Sequence, residues 1–332
     1  MKAARIHGYG GPEVFRVEEV ERPACGPRQA LVEVHATSIN PVDWKIRKGY
    51  QRFVNRKVMP AIIGMDLSGV VVEVGAQVTR FSPGDAVYSS PNHRAAGSYA
   101  EFAAVDEAEL ALKPANMTHV EAATIPLVGL TAWDCLVRGA KVQKGERVFI
   151  EAGSGGVGTF AIQLARHLGA TVATSCSPRN EALLRDLGAD VIVDYTQARF
   201  DQALEPQDVV LEAMGGDSKA MALNALVKGG RLVSINSDMP TLVGRYGPVL
   251  GIAAVGLRLL TFSISARLRR GVKVLSVVRK PDGEALGAIT GLIEQGVIKA
   301  VVDREFTLDQ IAEAHAFSES GRARGKIAIR VR

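Results

Sequence analysis

The sequence predicts an α/β chain in which a doubly wound parallel sheet is joined to a separate, partly closed antiparallel β domain. Three observations predict this. An apolar run at 147–150 enters a glycine-rich turn and then a helical pattern over 157–168. Strand-like and helical runs then alternate, with short links, from 169 to 235. Before about residue 125 the rhythm differs, with short β-favouring runs split by turn clusters. A length of 332 residues leaves room for two such domains.

In chain order, the first β-favouring runs are 30–36, 69–74, 86–89 and 99–105, and turn clusters fall at 8–12, 22–27 and 82–85. Val32, Val34 and Ala36 alternate with Glu33 and His35, the pattern of a strand with one face in water. That rhythm suits an antiparallel, partly closed sheet. In the second region, runs at 169–175, 190–194, 208–212 and 231–235 follow the first strand. Helices are expected at 180–187, stopped by Gly188, and at 217–227. Repeated βα units with short connections build a parallel sheet. The chain then offers a helix at 284–295, a strand at 300–302, a helix at 308–319 and a last strand at 326–331. The last strand is expected to return to the β domain. The domains are therefore drawn as 1–125 with 281–332, and 126–280 inserted between them.

Composition narrows the function classes. Hydrophobic residues make up 47% and charged residues 23%, as in soluble globular chains. A net charge of +5 permits an anionic ligand, but no basic helix or RNA-binding signature is present, so nucleic acid is not an expected partner. Cys25, Cys135 and Cys176 are far apart and odd in number, which favours a reducing compartment over a disulfide framework. The opening residues 1–7 read as a strand rather than a signal peptide, and the expected location is the cytoplasm.

The glycine-rich turn carries the first chemistry. Gly153, Gly155 and Gly158 satisfy G-x-G-x-x-G between a strand and a helix, the context that gives this pattern meaning. Glycines let the backbone approach a pyrophosphate, and the helix N-terminus adds free N–H groups and a positive dipole end. The turn Gly153-Ser154-Gly155-Gly156-Val157-Gly158 is therefore read as a dinucleotide site.

Further segments carry a resemblance. Ser38-Ile-Asn-Pro-Val-Asp-Trp-Lys45, Gly64-Met-Asp-Leu-Ser-Gly69, Gly97-Ser-Tyr-Ala-Glu-Phe102, Val128-Gly-Leu-Thr-Ala-Trp133, the glycine turn and Ala323-Arg-Gly-Lys326 occur in this order. With them the chain resembles, over essentially its whole length, the medium-chain dehydrogenase/reductase superfamily in its zinc-free quinone oxidoreductase (zeta-crystallin-like) branch. The resemblance implies a GroES-like β domain, a Rossmann domain, a nicotinamide cofactor and a homodimer.

Zinc is not expected. The alcohol-dehydrogenase branch has a cysteine where this chain has Asn40, and Gly-His-Glu where it has Gly64-Met65-Asp66. Asn40, Met65 and Asp66 are not a zinc ligand set, and remote histidines such as His93 or His119 are not expected to rebuild one. The cofactor is expected to be NADPH. About 20 residues past the glycines, where NAD-binding sites carry an acid, stands Ser175, followed by Ser177 and Arg179. No carboxylate there repels a 2′-phosphate, and Arg179 offers charge and planar donors. The other reading of Arg179 is a solvated side chain at a helix start. The resemblance adds Tyr195 beside the adenosine phosphate and Lys326 to the cofactor set.

At the reacting end, Asn40 and Lys45 are the natural donors for a carbonyl, and Tyr50 is a substrate-facing phenol. Lys45 is equally readable as a surface lysine and Tyr50 as a packing residue. The family pattern places Asn40, Asp43 and Thr131 around the nicotinamide. The expected reaction is hydride transfer to a quinone. The alternatives are reduction of activated alkenes (enals or enones), and an NADPH-binding factor with little catalysis. Cys135 is read as core, and the stretch 212–216 as the end of a strand beside the cofactor.

One segment stands apart. Residues 246–257 are apolar, and Arg258, Arg267, Arg269, Arg270 and Lys273 follow. Read as an uninterrupted apolar run, it is too short for a bilayer, which needs about 20 residues. The expectations for 246–273 are a helix over the substrate cleft or at a subunit contact, or a peripheral membrane contact with arginines meeting anionic lipid.

Overall fold

A computed structural model describes residues 1–52, 56–92, 97–236 and 239–332. His93 lies outside the described residues. The chain divides into two compact units, Met1–Leu130 with Lys280–Arg332, and Thr131–Arg279.

The first unit is built on a seven-stranded sheet. Its spine is Gln29–Ile39, eleven residues long. It pairs antiparallel with Leu67–Val74, with Phe102–Asp106 and with Lys326–Arg330. The terminal strand does return here, with Ile327 opposite Ile39. Buried Val32, Val34, Leu67, Val71, Val87 and Val105 form one core cluster, the inward half of the alternation read from the sequence. A second cluster gathers Ile6, Ile39, Ile46, Ile63, Tyr99 and Ile327. The strand expected at 300–302 is instead Val302–Thr307. Asp303, Arg304 and Glu305 have low strand preference, but parallel pairing with Lys326–Arg330 supplies their partners, so tertiary context overrides propensity.

The second unit holds six parallel strands in the order Val191–Asp194, Thr171–Cys176, Arg147–Ile150, Gln207–Glu212, Leu226–Ser234, Lys273–Ser276. By chain order that is 3-2-1-4-5-6, the doubly wound arrangement, with its switch point between the first and fourth strands. The helix expected at 217–227 is Ser218–Asn224. It stops early because Leu226 pairs with Gln207 and starts the fifth strand.

The apolar segment is longer than its sequence suggested. Met239–Arg270 is one helical run broken at Gly247, whose φ of 77° and ψ of 174° end one helix before Pro248 starts the next. Pro suits that first position, where its missing N–H is not needed. Thr241–Arg270 is long and apolar enough to cross a bilayer by length and composition. That corrects the short reading of 246–257, because Leu259, Leu260, Phe262 and Ile264 carry the apolar character past Arg258. The helix is nonetheless tied to the sheet of its own unit. Ala266 and Phe262 pack with Val272 and Val274, and Arg270 donates to the Leu223 carbonyl at 2.8 Å and to Asn224 Oδ1 at 2.9 Å.

Candidate active site

The glycine turn leaves the strand Arg147–Ile150 and enters the helix Gly156–His167. Gly155 is the N-cap and supplies no side chain to cap the helix, and among the described residues its first N–H groups meet no capping side chain. A Cβ on Gly158 would lie 2.4 Å from the Ala152 carbonyl oxygen and 2.7 Å from Gly153 Cα, so that glycine is required by helix-against-turn packing. A Cβ on Gly155 would meet only the Ala152 oxygen, at 3.4 Å. No crowding within the protein demands a glycine at 155. A side-chain-free turn at a helix N-terminus leaves room for a pyrophosphate, so these residues fit a dinucleotide.

The end of the neighbouring strand is arranged differently from the sequence reading. Ser175 is buried, its hydroxyl 3.4 Å from the Ala152 N–H and its carbonyl 3.1 Å from the Gly153 N–H, so it braces the turn. Ser177 and Arg179 stand beyond the strand, half-buried and exposed respectively, and Tyr195 is exposed. Of the residues assigned to a 2′-phosphate, Ser177 and Arg179 keep an outward placement.

Two buried carboxylates that are not among the predicted site residues hold the far side of the switch point. Glu151, directly after the first strand, accepts from the Ala213 and Met214 N–H groups at 2.9 and 3.0 Å, and from the Ser218 hydroxyl. Glu212, ending the fourth strand, accepts from the Gly215 N–H and from Ser234 Oγ at 2.5 Å. Burial holds the Glu212 carboxyl above its ordinary range. Together they pin the loop 213–218. The available signal was an acid at the carboxyl end of each strand flanking the switch point.

In the first unit the assigned residues converge on a sealed polar knot. Asn40 precedes the helix Pro41–Arg47, and its N–H donates to Asp43 Oδ2 at 2.8 Å. Asn40 Nδ2 donates to Asp66 Oδ2 at 2.7 Å, and Asn40 Oδ1 accepts from Lys326 Nζ at 2.5 Å. Lys326 also donates to the Ile39 carbonyl at 3.0 Å and lies 3.4 Å from Asp66 Oδ2. Asp66 further accepts from Ser38 Oγ and from the Leu127 N–H, each at 2.7 Å. Asn40, Asp43, Asp66 and Lys326 are all buried. The three N–H donors of Lys326 therefore point at partners inside this unit. Asn40, expected to donate to a carbonyl, is held at both ends of its amide.

Burial sets the protonation tendencies here. It pushes the Asp43 carboxyl up to about 7, Asp66 adding to the rise, against the Asn40 N–H and the Lys326 charge. It also pulls Lys326 below the ordinary lysine range, against Asp66 and Asp43. Lys45 is half-buried, its ammonium 5.6 Å from the Trp44 ring centroid, and burial lowers its pKa as well. Tyr50 is exposed, one turn beyond, and its N–H donates to the Lys45 carbonyl at 3.0 Å. Thr131 is buried in the helix Pro126–Trp133. His119 Nδ1 pairs with Ser68 Oγ at 2.8 Å, so it serves the fold. Cys135 is buried and its thiol is held high by burial.

Comparison with known proteins agrees with this architecture. Residues 26–115 match the alcohol dehydrogenase GroES-like domain, and residues 187–329 match the family described as zinc-binding dehydrogenase. The chain is 35% identical to the mitochondrial NAD(P)H oxidoreductase RTN4IP1 of Danio rerio, over 100% of this chain and 91% of that protein. It is 33% identical to a chloroplastic NADPH-dependent alkenal/one oxidoreductase of Arabidopsis thaliana, over 99% of this chain and 79% of that one. The solved Escherichia coli quinone oxidoreductase complexed with NADPH superposes with a TM-score of 0.84 at 25% identity, over 100% of both chains. The chain is an NAD(P)H-type oxidoreductase, with a nicotinamide cofactor. It belongs to the medium-chain dehydrogenase/reductase superfamily, in the zinc-free quinone oxidoreductase-like branch.

Proposed function

We propose that this chain is an NADPH-dependent quinone reductase that works without zinc. The observation that carries the metal-independent part is the Lys326 ammonium. It occupies the meeting point of Asn40 and Asp66, which stand where the alcohol-dehydrogenase branch carries its cysteine and the acid of its Gly-His-Glu. A cation held there repels a divalent ion and already pairs with the Asp66 carboxylate.

Bound NADPH supplies a hydride from C4 of its nicotinamide, and the quinone takes up that hydride together with a proton from solvent or a nearby donor. The protein binds and aligns. The Gly153–Gly158 turn receives the pyrophosphate, while Ser177 and Arg179 favour a 2′-phosphate through charge and planar donors. The Lys326–Asn40–Asp66 knot fixes the start of the helix Pro41–Arg47 and thereby the placement of Lys45, the proposed donor to the acceptor oxygen. Tyr50 is the second group proposed to face substrate, and Asp43 and Thr131 frame the nicotinamide as family members do. Homodimeric assembly and a cytoplasmic location belong to the same reading, the latter supported by three free cysteines.

A second reading, reduction of activated alkenes, is favoured by the 33% identity to the alkenal/one oxidoreductase. The deciding measurement is oxidation of NADPH and NADH by purified protein across quinones, enals and enones, with metal content measured alongside. Higher kcat/KM for NADPH with quinones supports the first reading. A preference for enals or enones replaces it with the second. No turnover with any acceptor leaves a cofactor-binding factor, and tightly bound stoichiometric zinc refutes the role given to Lys326.

A further inference from the structure

The helix after Pro248 presents its apolar side away from the protein. Ala266 and the half-buried Phe262 mark the side turned to the sheet. Opposite them, at helical spacing, lie Val249, Leu257, Leu260, Ile264 and Leu268, exposed by 79, 64, 57, 49 and 80%. At 1.5 Å per residue the stripe runs for about 30 Å. An exposed aliphatic stripe of that length marks an interaction surface.

Charge identifies the occupant. Residues 239–280 contain no Asp or Glu and eight Lys or Arg, among them Arg245, Arg267, Arg269 and Lys273. An isologous contact between two copies would set this cationic stretch against itself, which like-charge repulsion opposes. A surface that is both apolar in depth and anionic in its headgroups complements both features. The packing of Phe262 and Ala266, and the bonds from Arg270 to Leu223 and Asn224, keep the helix lying along its unit.

We infer that the helix 248–270 is a peripheral anchor that lies in the interface of an anionic bilayer, its leucine stripe among the acyl chains and its arginines on the phosphates. The inference is independent of which acceptor the enzyme reduces, because binding is read with no cofactor or acceptor present. The test is co-sedimentation of the full chain with vesicles of phosphatidylcholine, with and without about one-third phosphatidylglycerol, at low and high salt. The expected result is binding to the anionic vesicles, weakened by salt and absent with phosphatidylcholine alone. Leu260→Asp with Ile264→Asp, and separately Arg267→Glu with Arg269→Glu, should each lower the partition coefficient by about tenfold or more. Circular dichroism and the thermal midpoint confirm that these surface variants fold. Absence of binding to anionic vesicles at low salt overturns the inference, as does binding that both variants retain. So does a fall in the mass of the free protein in the Leu260/Ile264 variant by sedimentation velocity, since the stripe would then join two copies.

Discussion

The two polar centres of this molecule are built in opposite ways. In the first unit, Lys326, Asn40 and Asp66 exhaust one another, with every donor of the ammonium directed at an oxygen and four donors converging on one carboxylate. In the second, the helix Gly156–His167 begins with no side-chain cap, behind a glycine that packing does not require. A centre that satisfies itself holds geometry, and a centre that leaves donors open binds a ligand. This contrast supports the proposed roles, positioning for Asn40 and Lys326 and cofactor recognition for the turn and the residues just past the second strand.

The largest effect should come from opening the sealed centre. Lys326→Met leaves Asp66 buried without its cation and is expected to cost about 3–5 kcal/mol in urea denaturation. The double variant with Asp66→Asn should recover more than half of that loss, a coupling that independent sites do not show. Next in size, Arg179→Glu should weaken NADPH about 30-fold by isothermal titration while NADH changes little. Equal losses for both cofactors would remove Arg179 from recognition of the 2′-phosphate.

Within the turn, the two glycines should separate. Gly158→Ala forces a Cβ against backbone and should destabilise the fold by about 1–3 kcal/mol. Gly155→Ala should leave the thermal midpoint unchanged and weaken cofactor binding about tenfold, because its backbone is already extended at φ −82°. Destabilisation by Gly155→Ala would mean that position serves packing instead.

The smallest effect is on pH dependence, where two buried groups in the first unit oppose each other. The folded pKa of Asp43 is raised to about 7 from 3.8, so its contribution is present at low pH and is lost as pH rises through that window. His315 is lowered to about 3 from 6.5 by burial, so its contribution is present above 6.5 and is lost as pH falls. Asp43→Asn keeps an acceptor for the Asn40 N–H and should raise stability at pH 8 relative to pH 5 by about 1 kcal/mol against the parent. An unchanged ratio would show that Asp43 titrates normally.

Local patterns carried much of this architecture in advance. The strand, glycine turn and helix at 147–167, the βα repeat and the return of the terminal strand were legible because periodicity and turn chemistry are written in neighbouring residues. The helix 248–270 was read short because Arg258 interrupts the apolar run in sequence but not on the outward side of the helix. Val302–Thr307 was misplaced because its partner strand, not its composition, makes it a strand.

By itself, the sequence determined the two-part α/β architecture, the glycine-rich turn and the presence of Asn40, Asp66 and Lys326. Only the tertiary structure decided what those three do. They lie as far as 286 residues apart, and a hydrogen bond between such positions leaves no periodic trace along the chain. The same holds for Glu151 and Ser175, whose oxygens brace a loop and a turn. Side-chain type states which bonds are available, while burial and the direction of each side chain determine which of them form.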